Sequence, residues 1–106
     1  MRLRVVKSPR AAGSVIATSQ WIAQRSLEGA ERWLDALEST LELLSTQPTA
    51  RGVAPESERF EETIRQMPFA TRSGLKYRVL YTVRGETIFV VAVRGPSQSL
   101  LTPDDV

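Results

Sequence analysis

The stretch from Lys76 to Arg94, KYRVLYTVRGETIFVVAVR, leaves the chain little conformational choice. Tyr77, Val79, Tyr81 and Val83 alternate with Arg78, Leu80, Thr82 and Arg84, and a period of two sends the two sets to opposite faces of a sheet. Arg84-Gly85-Glu86 supplies the turn, where glycine takes the positive φ that a tight hairpin requires. The run from Ile88 to Val93 is apolar on both faces and dominated by β-branched residues, which predicts a strand central in its sheet. A hairpin with so much apolar surface needs other elements to cover it.

The residues before it provide them. Leu3 to Val6 reads as a short opening strand. Ser8-Pro9 then starts a helix, serine capping free backbone N–H groups and proline holding helical φ at the first position, and this helix is expected to run to about Arg25. Its apolar and small residues, Ala12, Val15, Ile16, Ser19, Ile22 and Ala23, recur at helical spacing. Ser26 caps a second helix in which Ala30, Leu34, Leu37, Leu41 and Leu44 form the inward stripe, widened by Trp33 and Leu43, with Glu31, Asp35, Glu38 and Glu42 outward. A partner helix in a coiled coil is the competing use of this pattern, but at fewer than about three heptads core packing is favoured, and an antiparallel helical hairpin packed on the sheet is expected.

Gln47-Pro48 ends the second helix, and Thr49 to Ser57 is a long connection with a helical turn near Pro55–Glu58. Phe60 anchors it. Thr63 to Phe69 reads as an edge strand, because Pro68 cannot donate to a ladder. Arg72-Ser73-Gly74 turns into the hairpin, and residues 95–106 form a tail that docks through Leu100 and Leu101. The order predicts a single α+β domain over residues 1–106: an N-terminal strand, a helical hairpin, then a three-stranded antiparallel run completing one sheet.

Composition removes much chemistry. The chain has neither cysteine nor histidine, so a disulfide framework, a thiolate zinc site, a cysteine nucleophile and a Ser-His-Asp triad are all excluded. Its acidic residues spread along a helix at the spacing of a solvated face, which argues against a metal site. There is no phosphate-binding Gly-x-x-x-x-Gly-Lys loop and no Gly-x-Gly-x-x-Gly, so no nucleotide cofactor is expected. No apolar run approaches the ~20 residues needed to span a bilayer, and the basic N-terminus is not followed by an apolar signal core. A cytoplasmic protein is expected.

The net charge of +2 is unevenly spread. Glu28, Glu31, Asp35, Glu38 and Glu42 meet only Arg32 in their segment, whereas Arg65, Arg72, Lys76, Arg78, Arg84 and Arg94 meet only Glu86 in theirs. If the fold gathers the later cations on one face, that face attracts an acidic peptide or a nucleic acid. The plainer reading is a solvated sheet surface whose arginine stems cover apolar area. Tyr77 and Tyr81 share a strand face where they could stack on bases, but their phase with Val79 and Val83 suits core or interface better.

Several segments together carry a resemblance: Ser26-x-x-x-Ala30-x-Arg32-x-Leu34-x-x-Leu37, the helix ending Leu44-x-x-x-Pro48, and Tyr77-Arg-Val-Leu-Tyr81-x-Val83 before a valine-rich strand. In that order the chain resembles the RelE/ParE toxin superfamily over nearly its whole length. The resemblance implies the toxin of a type II toxin-antitoxin module, of the kind once called plasmid stabilisation proteins, neutralised by a small cognate antitoxin. RelE-like members cleave mRNA on the ribosome with a basic cluster, whereas ParE-like members bind and poison DNA gyrase without being nucleases. Arg78 matches the arginine of the family's Tyr-Arg-x-x-Tyr segment, and Arg65 falls where many members carry one in the preceding strand. Where relatives have a His-Gly-x-Arg or a Lys/Arg-rich segment, this chain has Arg94-Gly95-Pro96-Ser97, and no tyrosine follows Tyr81.

A nuclease would therefore rely on Arg65, Arg72, Lys76, Arg78 and Arg94, with no evident group to take the 2′-hydroxyl proton. The ParE-like reading puts these five residues at a target- or antitoxin-binding surface. A non-toxic relative acting only in complex formation is the third reading.

Overall fold

A computed structural model describes residues 2–49, 52–71, 75–96 and 98–106. Its elements are β1 (Arg4–Lys7), α1 (Pro9–Ala23), α2 (Leu27–Thr46), a 3-10 turn (Pro55–Arg59), β2 (Arg65–Ala70), β3 (Lys76–Arg84), β4 (Thr87–Arg94) and a second 3-10 turn (Pro103–Asp105). The strands form one mixed sheet in the order β1-β4-β3-β2. The expected α+β architecture is the one observed. β4 is central, parallel to β1 on one side and antiparallel to β3 on the other. β2 is an edge strand with Pro68 in mid-strand, as expected.

The local signals act where the sequence places them. Ser8 accepts a hydrogen bond from the Ala11 N–H and Ser26 from the Gly29 N–H, each capping its helix. Gly85, with φ of 58°, takes the first position of the two-residue turn between β3 and β4. The Arg72–Gly74 turn lies outside the described residues.

The helices cover one face of the sheet. Trp33, Leu37, Leu41 and Leu44 of α2 and Ala11 of α1 bury against Met67, Tyr77, Val79, Tyr81, Ile88, Val90 and Val93. Two expected stripe residues do not take part: Ile16 is 58% exposed and Leu34 37%. Once Trp33 points inward, Leu34 lies about 100° round the helix and must face outward. In α1 the inward line runs through Ala11, Val15 and Ile22, and Ile16 falls beside it.

The opposite face carries a smaller core, in which Ile64, Leu80, Val91 and Ala92 are covered by Ala54 and Leu101 with Phe60 packed alongside. Phe60 thus anchors its loop. In the tail Leu101 is buried, whereas Leu100 is 40% exposed. Docking therefore rests on one of the two leucines, because the extended backbone before Thr102 sends neighbouring side chains to opposite sides.

A bulge lets β4 serve both cores. Tyr81 pairs with Val90 but Leu80 with Ala92, so Val91 is the extra residue. Val91 and Ala92 consequently both belong to the outer core, and Val93 returns to the helix side.

Candidate functional site

The arginines do not converge on one patch. Arg78 and Arg94 are directly opposed across β3 and β4 on the outer face. Arg65 is in phase with Met67 and Phe69 and opposite Tyr81, which puts it on the helix side at the start of β2. At the sheet edge it lines a cavity of about 380 Å³ with Thr49, Glu62, Thr63, Thr82 and Val83. Lys76 is exposed at the far end of β3, paired with Ala70. Arg72 lies outside the described residues.

The outer-face arginines are engaged by carboxylates of the chain itself. Arg78 grips Glu56 with both terminal nitrogens, Nη1 to Oε1 at 2.8 Å and Nη2 to Oε2 at 2.6 Å, and Nη1 also donates to Gln66 Oε1 at 2.9 Å. Glu56 is fully buried; its Oε2 also accepts the Leu101 N–H at 3.2 Å. Burial pushes the Glu56 carboxyl up, but hydrogen bonds from Arg78 and from the Leu101 amide outweigh it and hold the pKa at about 2. A buried carboxylate that is bidentately paired and tied to a main-chain amide fastens the Pro55–Arg59 turn, β3 and the tail at one point.

Arg94 donates to Asp105 at 3.3 Å; Asp105 in turn caps the terminal turn through Thr102. Arg84, which the nuclease and binding readings left aside, forms a second fork with Glu62, at 2.7 and 2.5 Å, and lies 4.4 Å over the Phe89 ring. The later cations thus meet Glu56, Glu62 and Asp105 in space, where along the chain only Glu86 stood near them. Sequence reading missed these acids because each sits in a turn or loop without periodicity. The proline-started turn at Pro55–Glu58 was the available signal, and it did not separate Glu56 from Glu58.

The two tyrosines of the Tyr-Arg-x-x-Tyr segment are core residues. Tyr77 packs edge-on against Trp33 at 5.4 Å and stacks on Phe69 at 5.8 Å. The fully buried Tyr81 donates its hydroxyl to the Pro48 carbonyl at 2.7 Å, tying β3 to the end of α2. Tyr77 thus joins β3 to α2 and β2, Arg78 to the Pro55–Arg59 turn, and Tyr81 to Pro48. Among the described residues no group of three or more acidic side chains is placed to hold a metal ion, and no helix is long and apolar enough to cross a membrane.

The described residues form an α+β architecture of one mixed four-stranded sheet under a helical pair, with the Tyr-Arg-x-x-Tyr segment on β3. The family model described as the ParE toxin of the type II toxin-antitoxin system parDE matches residues 5–100, and the chain belongs to that family. A search of curated proteins returned no significant match.

Proposed function

We propose that this chain is a ParE-like toxin that inhibits a protein target, DNA gyrase, by binding it, and that a cognate antitoxin neutralises it. Membership of the ParE family supports the toxin part. The bidentate hold of buried Glu56 on Arg78 carries the choice of binding over RNA cleavage. A nuclease without histidine needs cations whose donors are free to meet charge developing on phosphorus. Here Arg78 commits three of its five N–H donors to Glu56 and Gln66, Arg94 is paired with Asp105, and Arg65 is in phase with the helix-side residues of β2.

The test is to induce the chain alone in a bacterial host while following growth, DNA-damage signalling and bulk translation, with purified protein assayed against gyrase in parallel. Arrest with damage signalling, continuing translation and inhibited supercoiling is the expected result. Rapid loss of translation would overturn the binding reading in favour of ribosome-dependent mRNA cleavage. Normal growth with soluble protein present would leave a relative that acts only in complex formation.

A further inference from the structure

The C-terminal segment is attached to the outer face of the sheet at few points. Among the described residues from Gln98 to Val106, Leu101 is the one that is buried, and the segment adds no strand to the sheet. Leu101 packs in the outer core with Ala54, Ile64, Leu80 and Val91, and its N–H meets the buried carboxylate of Glu56 at 3.2 Å. Further on, Asp105 accepts from Arg94 Nη2 at 3.3 Å, and Arg10 Nη1 donates to the Asp104 carbonyl at 3.2 Å.

The surface beneath has the parts of a peptide-recognition slot. Glu56 receives a main-chain N–H, the outer core receives an apolar side chain, Arg10 receives a main-chain carbonyl and Arg94 a carboxylate. Asp105 fills the last position incompletely. One oxygen, Oδ2, serves Arg94 and also the N–H and hydroxyl of Thr102, at 3.0 and 3.1 Å. The Arg94 Nε is buried and has no acceptor among the described residues, and a space of about 30 Å³ remains between Arg10, Ser14, Arg94 and Asp105. A carboxylate that reached Nε and Nη2 together would make the fork that Glu62 makes with Arg84 and that Asp105, held by its own cap, does not make.

We propose that residues Leu101–Val106 are a releasable strap that occupies, within the chain's own fold, a recognition slot for an acidic peptide segment of another protein, which enters with an apolar side chain in the place of Leu101 and a carboxylate on Arg94. The strap itself displays the chemistry that fits. Glu56 selects against a nucleic acid, because a phosphodiester offers it no N–H and brings a like charge. When the strap lifts, water replaces the Leu101 amide at Glu56, and the fork with Arg78 does not involve the strap.

The test begins with hydrogen exchange on the wild-type chain. The Leu101 amide is expected to exchange about a hundredfold faster than the ladder amides of β3 and β4, because the strap opens without the sheet. Exchange as slow as the ladder's would overturn the proposal. The second arm uses the full-length variant Leu101→Ser and, as probe, a fluorescein-labelled peptide with the sequence of residues 99–106. Anisotropy is expected to show the variant binding this peptide about tenfold more tightly than wild type, whose own strap competes. Asp105→Asn in the peptide, or Arg94→Gln added to the variant, is expected to weaken binding about fivefold. Equal binding to variant and wild type, or none to either, would overturn the proposal, as would loss of the fold in Leu101→Ser by circular dichroism. A concentration-dependent wild-type dimer that Leu101→Ser abolishes would overturn it too, by making a second copy the occupant.

Discussion

The two faces of the sheet are held in different ways. The helix side is a continuous apolar layer centred on Trp33, Tyr77 and Tyr81, with the Tyr81 hydroxyl bonded to the Pro48 carbonyl at its rim. The outer side has a smaller apolar patch closed by a turn and a tail, and what fastens these is Glu56, reaching Arg78 and the Leu101 amide together. The first depends on area buried and tolerates small errors of position. The second depends on geometry, because a buried carboxylate is favourable only while each of its partners stays in place.

Removing the helix-side anchor should have the largest effect. Trp33→Ala is expected to lose about 4 kcal/mol, read as a lowered denaturant midpoint with an unchanged slope. A fall in slope instead would mean that the two faces unfold separately. Next comes Arg78→Ala, expected to cost about 3 kcal/mol because it strands Glu56 in the interior. The paired replacement Glu56→Met/Arg78→Met should recover most of that loss in the same denaturation experiment. If it recovers nothing, the attachment of the tail through Leu101 matters more than the charge pair.

Acid should separate the faces without mutation. The folded pKa of Glu56, about 2, lies below the ordinary 4.5, so its stabilisation is complete above about pH 4.5 and is lost as pH falls towards 2. A shift of that size corresponds to about 3 kcal/mol. Wild type should therefore lose stability across that window more steeply than Glu56→Met/Arg78→Met, and parallel profiles for the two would refute the assignment. The smallest effect is expected at the exposed Arg84–Glu62 fork, where Arg84→Ala should cost less than about 1 kcal/mol, with the difference fading in high salt.

Legibility in the sequence follows the same division. The alternation of β3, the capping serines, the turn at Gly85 and the edge position of β2 are local signals, and local signals were enough for them. The leucine stripe was readable to within one residue; the bulky indole of Trp33 took the inward position and displaced Leu34. The bulge at Val91 could not be read, since a run of valines and alanine fits either phase. Nor could the Glu56–Arg78 pair, whose members are 22 residues apart and follow no period. The candidate site suffered most from this. Arginines adjacent along the chain suggested one cationic face, while the sheet divides them between its two sides and supplies acids from distant turns.

The place of β1 has a consequence for how the protein is made. Among the described residues its strand partner is β4, and the residues that pair, Arg4 with Thr87 through Lys7 with Val90, are far apart along the chain. Contacts so distant along the chain form slowly, and synthesis runs from the N-terminus. The first strand must therefore wait for the last, and Leu101 must emerge before the outer core can close.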